Sequence, residues 1–337
     1  MPAPHAPQAP LPSTPAAKAA GQSIKRPSVK TLLNQAKVTS ATRELDISFA
    51  YDVTPAVLRT LCVCMPQLRR LIVREVGLVA LPQEVGDLVH LRELDLSHNE
   101  LTELPATLGQ LGELQHLNVS RNRLADLPQT IHGMVNLRLL NANYNVISTL
   151  PESFGALQAL RVLRLGANEL KQLPPQVALL TDLRLVQLAY NSIGDVPDVL
   201  WDLPELKVVD ISYNAIEYWP DSSLLPRTLS NLNVTGNPLS EVPQSLISAQ
   251  SHDLKIVGLP KPGSRVTQVT VAPRGTARPK PGEDNRLALN ATQDLTGILF
   301  AGLGDFSVAG QPSTSPGAQQ THLDRTTDPD VDDPSRH

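Results

Sequence analysis

Aromatic residues make up only 3% of this 337-residue chain. A core of ordinary density must therefore be filled by Leu, Val and Ala, and any exposed Tyr stands out against that background. Cysteine is nearly absent too, with only Cys62 and Cys64. Two thiols one residue apart provide neither a disulfide framework nor the usual C-x₂-C zinc spacing, so a reducing compartment is expected. Both cysteines read as small buried hydrophobes. Long apolar runs are missing as well. No seven-residue apolar block sits near the N-terminus and no stretch is long enough to span a bilayer, so no general-route export signal and no integral membrane contact are expected. Phosphate-binding glycine loops and metal-ligand spacings are also missing, and the chain is expected to use no cofactor and no metal. With a net charge of −4, a pI near 6.1 and no basic stripe read along one face, nucleic-acid binding is not expected.

What the chain does contain is a period. Starting at Leu68 and restarting at Leu91, Leu114, Leu137, Leu160, Leu183, Leu206 and Leu229, a 23-residue unit recurs eight times without a slip. Its clearest copy, LRELDLSHNELTELPATLGQLGE over residues 91–113, has the skeleton L-x-x-L-x-L-x-x-N-x-L-x-x-L-P. Within LRELDL the apolar residues alternate at period two, which predicts a short strand with Leu94 and Leu96 inward and Glu93, Asp95 and Ser97 outward. Asparagines stand in register at positions 99, 122, 145, 168, 191, 214 and 237, where the chain must leave the strand. A buried amide there can satisfy backbone groups that lose their ladder partners. A Pro follows in every unit, at positions 82, 105, 128, 151, 174, 197, 220 and 243, and ends any strand on the far side. An apolar pair such as Leu108 and Leu111 then packs a helical or 3₁₀ turn back onto the core. No unit buries its leucines alone, so stacking must stabilise the array.

These motifs resemble the short LP-type leucine-rich repeats of Ras-suppressor-like and plant intracellular Ras-group proteins, which also occur in bacterial type III effectors. Residues 68–243 carry the resemblance. It implies an α/β fold, a curved solenoid with a parallel sheet on the concave face, short helical or 3₁₀ turns on the convex face, and disordered tails. It says little about function, because such scaffolds differ in their surface residues. Some effectors of this kind carry a ubiquitin-ligase domain with a C-x-D cysteine. Cys62 is followed by Cys64 at that spacing and Cys64 by Pro66, so neither matches.

Departures from the repeat divide the chain into four parts: a disordered tail at 1–27, a cap at 28–67, the solenoid at 68–259 and a mostly disordered linker and tail at 260–337. The cap comprises a short helix over Ser28–Thr39, with Val29, Leu32, Leu33 and Ala36 at helical spacing, and a degenerate repeat around ELDIS. The stretch LKIVGL at 254–259 reads as a last strand. An apolar island at 294–306 reads either as a docking helix or, given Gly297, Gly302 and Gly304, as a loose segment lying on the solenoid. The first 43 residues contain no acid and six basic residues among many Pro, Ala, Ser and Thr. That composition resembles the unfolded secretion signals of type III effectors; a plain disordered tail has the same composition. Prolines at 2, 4, 7, 10, 12 and 15 argue against the amphipathic helix of a mitochondrial transit peptide. Arg outnumbers Lys by 20 to 9, which suits a GC-rich bacterial genome.

The concave columns supply the candidate site. Midway between the strand leucines runs Ile72, Asp95, Asn118, Asn141, Arg164, Gln187, Asp210 and Asn233, expected to be exposed. Just before the asparagines runs Glu75, His98, Arg121, Tyr144, Ala167, Tyr190, Tyr213 and Gly236, with Phe49 above it. Three of the five tyrosines fall in this column, and Tyr buries a large area at low entropic cost. Arg70, Arg74, Arg121 and Arg164 are candidate charged anchors. His98 and His116, near Asp95, Ser97 and Ser120, suggest a hydrolase triad, but an open sheet lacks an oxyanion pocket and no catalytic residue is assigned. The candidate protein-binding residues are Tyr144, Tyr190, Tyr213, Arg121, Arg164, Asp95, His98, His116, Gln187 and Asp210. The reading is a non-enzymatic, monomeric interaction module, made in a bacterial cytoplasm and secreted by a type III system to bind a host protein. A cytoplasmic signalling scaffold and the substrate-recognition part of a ubiquitin ligase are the alternatives.

Overall fold

The computed structural model describes residues 26–35, 39, 41–219, 225–241, 246 and 254–259. The expected tails at 1–27 and 260–337, apart from residues 26 and 27, lie outside them, as do the island at 294–306, Ala36, Pro220 and Pro243. Ten parallel strands form one sheet in strictly sequential order. They are β1 (Glu44–Asp46), β2 (Arg70–Ile72), β3 (Glu93–Asp95), β4 (His116–Asn118), β5 (Leu139–Asn141), β6 (Val162–Arg164), β7 (Leu185–Gln187), β8 (Val208–Asp210), β9 (Asn231–Asn233) and β10 (Lys255–Val257). Each pairs in register with the next, so that Leu71, Leu94, Leu117, Leu140 and Leu163 stack as one buried row. The last strand read from LKIVGL is β10, paired with β9.

In the repeats from Leu68 to Leu183 the far side is a 3₁₀ turn rather than an α-helix. Five-residue turns cover Gln83–Asp87, Ala106–Gln110, Gln129–Gly133, Glu152–Ala156 and Pro175–Leu179, each entered through a Pro. Consecutive turns pack so closely that a Cβ at Gly109 would overlap the Thr130 carbonyl. Hydroxyls stitch them together, with Thr130 Oγ1 donating to Ala106 O at 2.6 Å and Ser153 Oγ to Gln129 O at 2.6 Å. Sheet inside and narrow turns outside make the curved leucine-rich-repeat solenoid expected from the period.

The N-terminal side holds two α-helices. α1 (Val29–Gln35) buries Val29 and packs Leu32 and Leu33 against the core, and the Val29 N–H donates to Asp52 Oδ1 at 2.7 Å. α2 (Pro55–Cys64) takes the place of a 3₁₀ turn in the degenerate repeat and was not foreseen from the repeat pattern. Its start is nonetheless written locally: Thr54 caps it by accepting from the Val57 N–H, and Pro55 occupies the first turn, where its missing N–H costs nothing. Leu58, Leu61 and Cys62 are buried, whereas Cys64, the last helical residue, is exposed. The expectation of two buried cysteines thus holds for Cys62 alone. Two helical positions are roughly 200° apart around the axis, so both side chains cannot face the core. Burial pushes the Cys62 thiol up to about 12, which leaves it chemically inert.

The asparagines join repeat to repeat. Asn145 Oδ1 accepts the Leu124 N–H at 3.0 Å, while its Nδ2 donates to Val119 O at 3.1 Å and to Ala142 O at 3.0 Å. The same pattern recurs at Asn99, Asn122, Asn168, Asn191, Asn214 and Asn237, each bonded to its own repeat and to the one before. Val76 and Ala50 occupy the position in the first two units, and the Val76 N–H donates instead to Asn99 Oδ1 at 3.2 Å. Replacing Asn145 with Ala should lower stability by about 2–4 kcal/mol in urea unfolding, since it orphans a buried N–H and leaves a void. A loss below about 1 kcal/mol would mean that water replaces the amide at little cost.

Candidate binding face

The 23-residue period places three columns on the concave face. The first strand residues align Arg70, Glu93, His116, Leu139, Val162 and Leu185; the last align Asp95, Asn118, Asn141, Arg164, Gln187 and Asp210. The third column precedes the asparagines, and its backbone is left-handed throughout. Phe49, Glu75, His98, Arg121, Tyr144, Ala167, Tyr190 and Tyr213 have φ between 52° and 63°, and Gly236 has φ 74°. Each N–H here reaches the next repeat, as Tyr144 N does to Gly166 O at 2.9 Å and Tyr190 N to Ser212 O at 3.0 Å. A non-glycine residue in this region costs about 1 kcal/mol or more. Glycine, the residue suited to it, occurs in the column only at Gly236.

The column's large side chains pair off. Tyr190 and Tyr213 stack with ring centroids 4.4 Å apart and planes 7° from parallel, close to the strand spacing itself. Tyr213 remains 42% exposed. Burial and the neighbouring Tyr213 hydroxyl push Tyr190 up to about 12, so it stays protonated as a hydrogen-bonding phenol. Arg121 places its Cζ 4.4 Å from the Tyr144 ring centroid, a cation–π contact. Ala167 separates the two pairs.

Several expected contacts are used inside the protein instead. Asp95 and Asp210, read as exposed, are 4% and 5% exposed. Asp95 Oδ1 accepts from the Ser97 N–H and Oγ, and its Oδ2 accepts from Arg74 at 2.6 Å and Asn118 at 2.9 Å. Asp210 Oδ1 accepts from the Ser212 N–H at 3.0 Å and Oγ at 2.6 Å, and burial raises its pKa. A short acidic side chain followed two residues later by Ser folds back on its own backbone, and this removes both aspartates from the surface. Arg74 is committed to Asp95, and Arg70 to Glu93 at 2.9 Å, so neither is a free anchor. His98 and His116 sit in different columns, and burial lowers both pKa values, keeping the rings neutral near pH 7.

The strand β6 segment at the centre differs from its neighbours. Beyond Arg164 it carries a buried Gly166 and only Ala167 on the outer face. Asn143 bridges across, its Oδ1 accepting the Gly166 N–H at 2.6 Å and its Nδ2 donating to Gln187 Oε1 at 3.3 Å. Asn143 escaped the sequence reading because its column, which repeats a hydroxyl at Ser97, Ser120, Ser212 and Thr235, was not aligned there. Arg164 is half-buried, and among the described residues it has no acidic or hydrogen-bonding partner.

A basic column also runs along the sheet, contrary to the expectation of none. Arg43, Arg69, Arg92, Arg138, Arg161, Arg184 and Lys207 follow one another through backbone hydrogen bonds, interrupted by Gln115. The period itself aligns them from Arg69 on, since each follows the first leucine of a repeat, and Arg43 holds the same place after Thr42 in the cap. Arg92, Arg161 and Arg184 face Glu113, Asp182 and Glu205 at 3.5, 3.9 and 3.8 Å, which offsets part of the charge.

Two family models match the chain: a leucine-rich repeat region over residues 30–143 and a leucine rich repeat over residues 158–216, together just over half of it. No curated protein matches. Among solved structures, the chain is similar to the ectodomain of the Arabidopsis thaliana membrane receptor kinase GASSHO1/SCHENGEN3 in complex with Casparian strip integrity factor 2. Identity is 26% and the TM-score 0.51, over 60% of this chain and 28% of that one. The Arabidopsis receptor kinase HAESA ectodomain, in complex with an IDA peptide hormone, matches at 25% identity and a TM-score of 0.52, over 60% and 35% of the two chains. This chain thus spans about a third of the length of those ectodomains. A complex of latrophilin 3, Unc5D and the FLRT2 repeats matches at 22% identity and a TM-score of 0.53, over 65% and 70%, and shares the fold. Among the described residues, no helix is long and apolar enough to cross a membrane.

Proposed function

Because the chain belongs to the leucine-rich-repeat family, whose members generally act as protein-interaction modules, we propose that it binds a partner protein on its concave face between Arg121 and Tyr213. One observation carries this reading. Tyr144, Tyr190 and Tyr213, in a chain with five tyrosines, occupy a left-handed column that penalises them. Local backbone preference does not account for them there, whereas a binding hot spot does: stacked, partly exposed aromatic rings bury large area against a partner with little entropy left to lose. The peptide hormone held by the similar HAESA ectodomain lends support. Gln187, His98 and His116 complete the polar rim, and no side chain is given a catalytic role.

The partner is captured with the full chain and with the Tyr190→Ala, Tyr213→Ala double variant, read by mass spectrometry of bound proteins. Proteins retained by the parent and depleted at least tenfold by the variant are expected; identical protein sets from both would remove the tyrosine pair from the site.

We further propose that the protein is a bacterial effector delivered into a host cell by type III secretion. The acid-free, Pro/Ser/Thr-rich first 43 residues support this. A reporter fused to residues 1–50 should be secreted by a type III-competent strain and retained by a secretion-defective one. Equal retention in both would leave a cytoplasmic scaffold with the same binding face.

A further inference from the structure

In the last-strand column and the left-handed column before the asparagines, the charges of the described residues are settled locally with one exception. Arg70 and Arg74 hold Glu93 and Asp95, Asp210 is held by Ser212, and Arg121 lies on Tyr144. Arg164 has none of this. Its Nε is buried without a hydrogen-bond partner among the described residues, and neither ion pair nor aromatic ring faces it there. Asp210 is two strands away, roughly 10 Å, across Gln187. A half-buried guanidinium without a counter-charge costs folding free energy, and burial alone lowers its pKa. The surroundings are shaped to admit a counter-charge. Ala167 and the Asn143–Gln187 bridge that covers Gly166 give strand β6 a low floor, while Tyr144 and Tyr190 stand on the flanking repeats two strand spacings apart, about 10 Å. Each wall is braced from outside, by Arg121 on one side and Tyr213 on the other.

We propose that Arg164 anchors an acidic side chain of the partner, an internal Asp or Glu of an extended segment seated over Ala167 and the Asn143–Gln187 bridge between Tyr144 and Tyr190. The buried Nε holds the guanidinium in place, and its two terminal Nη groups can offer a carboxylate parallel N–H donors, which no neutral side chain here can do. The sheet continues on both sides of β6, so a segment lying across it has room to run past the notch, and an internal residue fits better than a chain terminus. This assignment rests on the concave-face reading and adds the chemistry of the partner to it.

The test is selection of phage-displayed random dodecapeptides on the full chain, one library anchored at both ends and one with free C-termini. Binders are then measured against the parent, R164Q, R164K and the double tyrosine variant. Enrichment of Asp or Glu at one fixed internal position is expected. Binding should fall at least tenfold in R164Q and less in R164K, and the R164Q melting temperature should be unchanged or raised, because the arginine has no folded-state partner to lose. Peptides lost from the tyrosine variant but indifferent to R164Q would overturn the assignment and leave the binding face standing. Enrichment from the free C-terminal library alone would overturn the internal-residue assignment. Peptides indifferent to every concave substitution, or a marked fall in R164Q melting temperature, would overturn it as well, the former together with the binding face.

Discussion

The amide of a single asparagine per repeat is the interaction on which the structure depends. A chain that leaves a three-residue strand and turns beneath its neighbour strands backbone N–H and C=O groups in a leucine core, where each unpaired group is expensive. One side chain with a carbonyl and two N–H donors answers that need. At Asn122, for example, Oδ1 takes the Leu101 N–H while Nδ2 serves Leu96 O and Val119 O, tying two repeats at one point. Strand pairing and leucine stacking then follow in fixed register, and seven such rungs leave no freedom for a slip.

The same geometry sets what the surface can carry. To aim the amide inward, the preceding residue turns left-handed, and its side chain stands on the concave face in a row spaced as the strands are. This is why Tyr190 and Tyr213 stack at 4.4 Å without any contact designed elsewhere. One step earlier, aspartates are drawn into their own backbones at Asp95 and Asp210, so acid in those columns is silent towards a partner. Arginine at the same column is too long to fold back, and Arg164 is the position where this leaves charge unanswered. On the proposed binding face, Arg164 is thus the side chain that the described scaffold leaves unanswered.

Much of this was legible in the sequence because the repeat is a ruler. Register and strand order from β2 to β9, the asparagine rungs and the tyrosine column all follow from counting by 23, whereas the final strand at LKIVGL pairs one residue out of that count. What counting misses is local. Thr54-Pro55 spells a helix start that the repeat frame obscured, and Cys64 follows that helix around to solvent. Whether an outward-pointing side chain is free depends on its neighbours two residues on and one repeat away. Alternation alone therefore read Asp95 and Arg164 alike, although Ser97, Asn118 and Arg74 bury the first and nothing among the described residues pairs with the second. The basic column was present in the same ruler and needed only the position after each first leucine to be aligned.

Native-state hydrogen exchange tests the central claim most directly, read at the amides bonded to asparagine Oδ1, those of Leu101, Leu124, Ile147, Leu170 and Ile193. If the asparagine rungs hold the solenoid together, these amides exchange among the slowest in the protein and respond together to mild denaturant. Exchange as fast as that of the convex 3₁₀ turns would contradict the account and shift the burden of stability to the leucine stack alone.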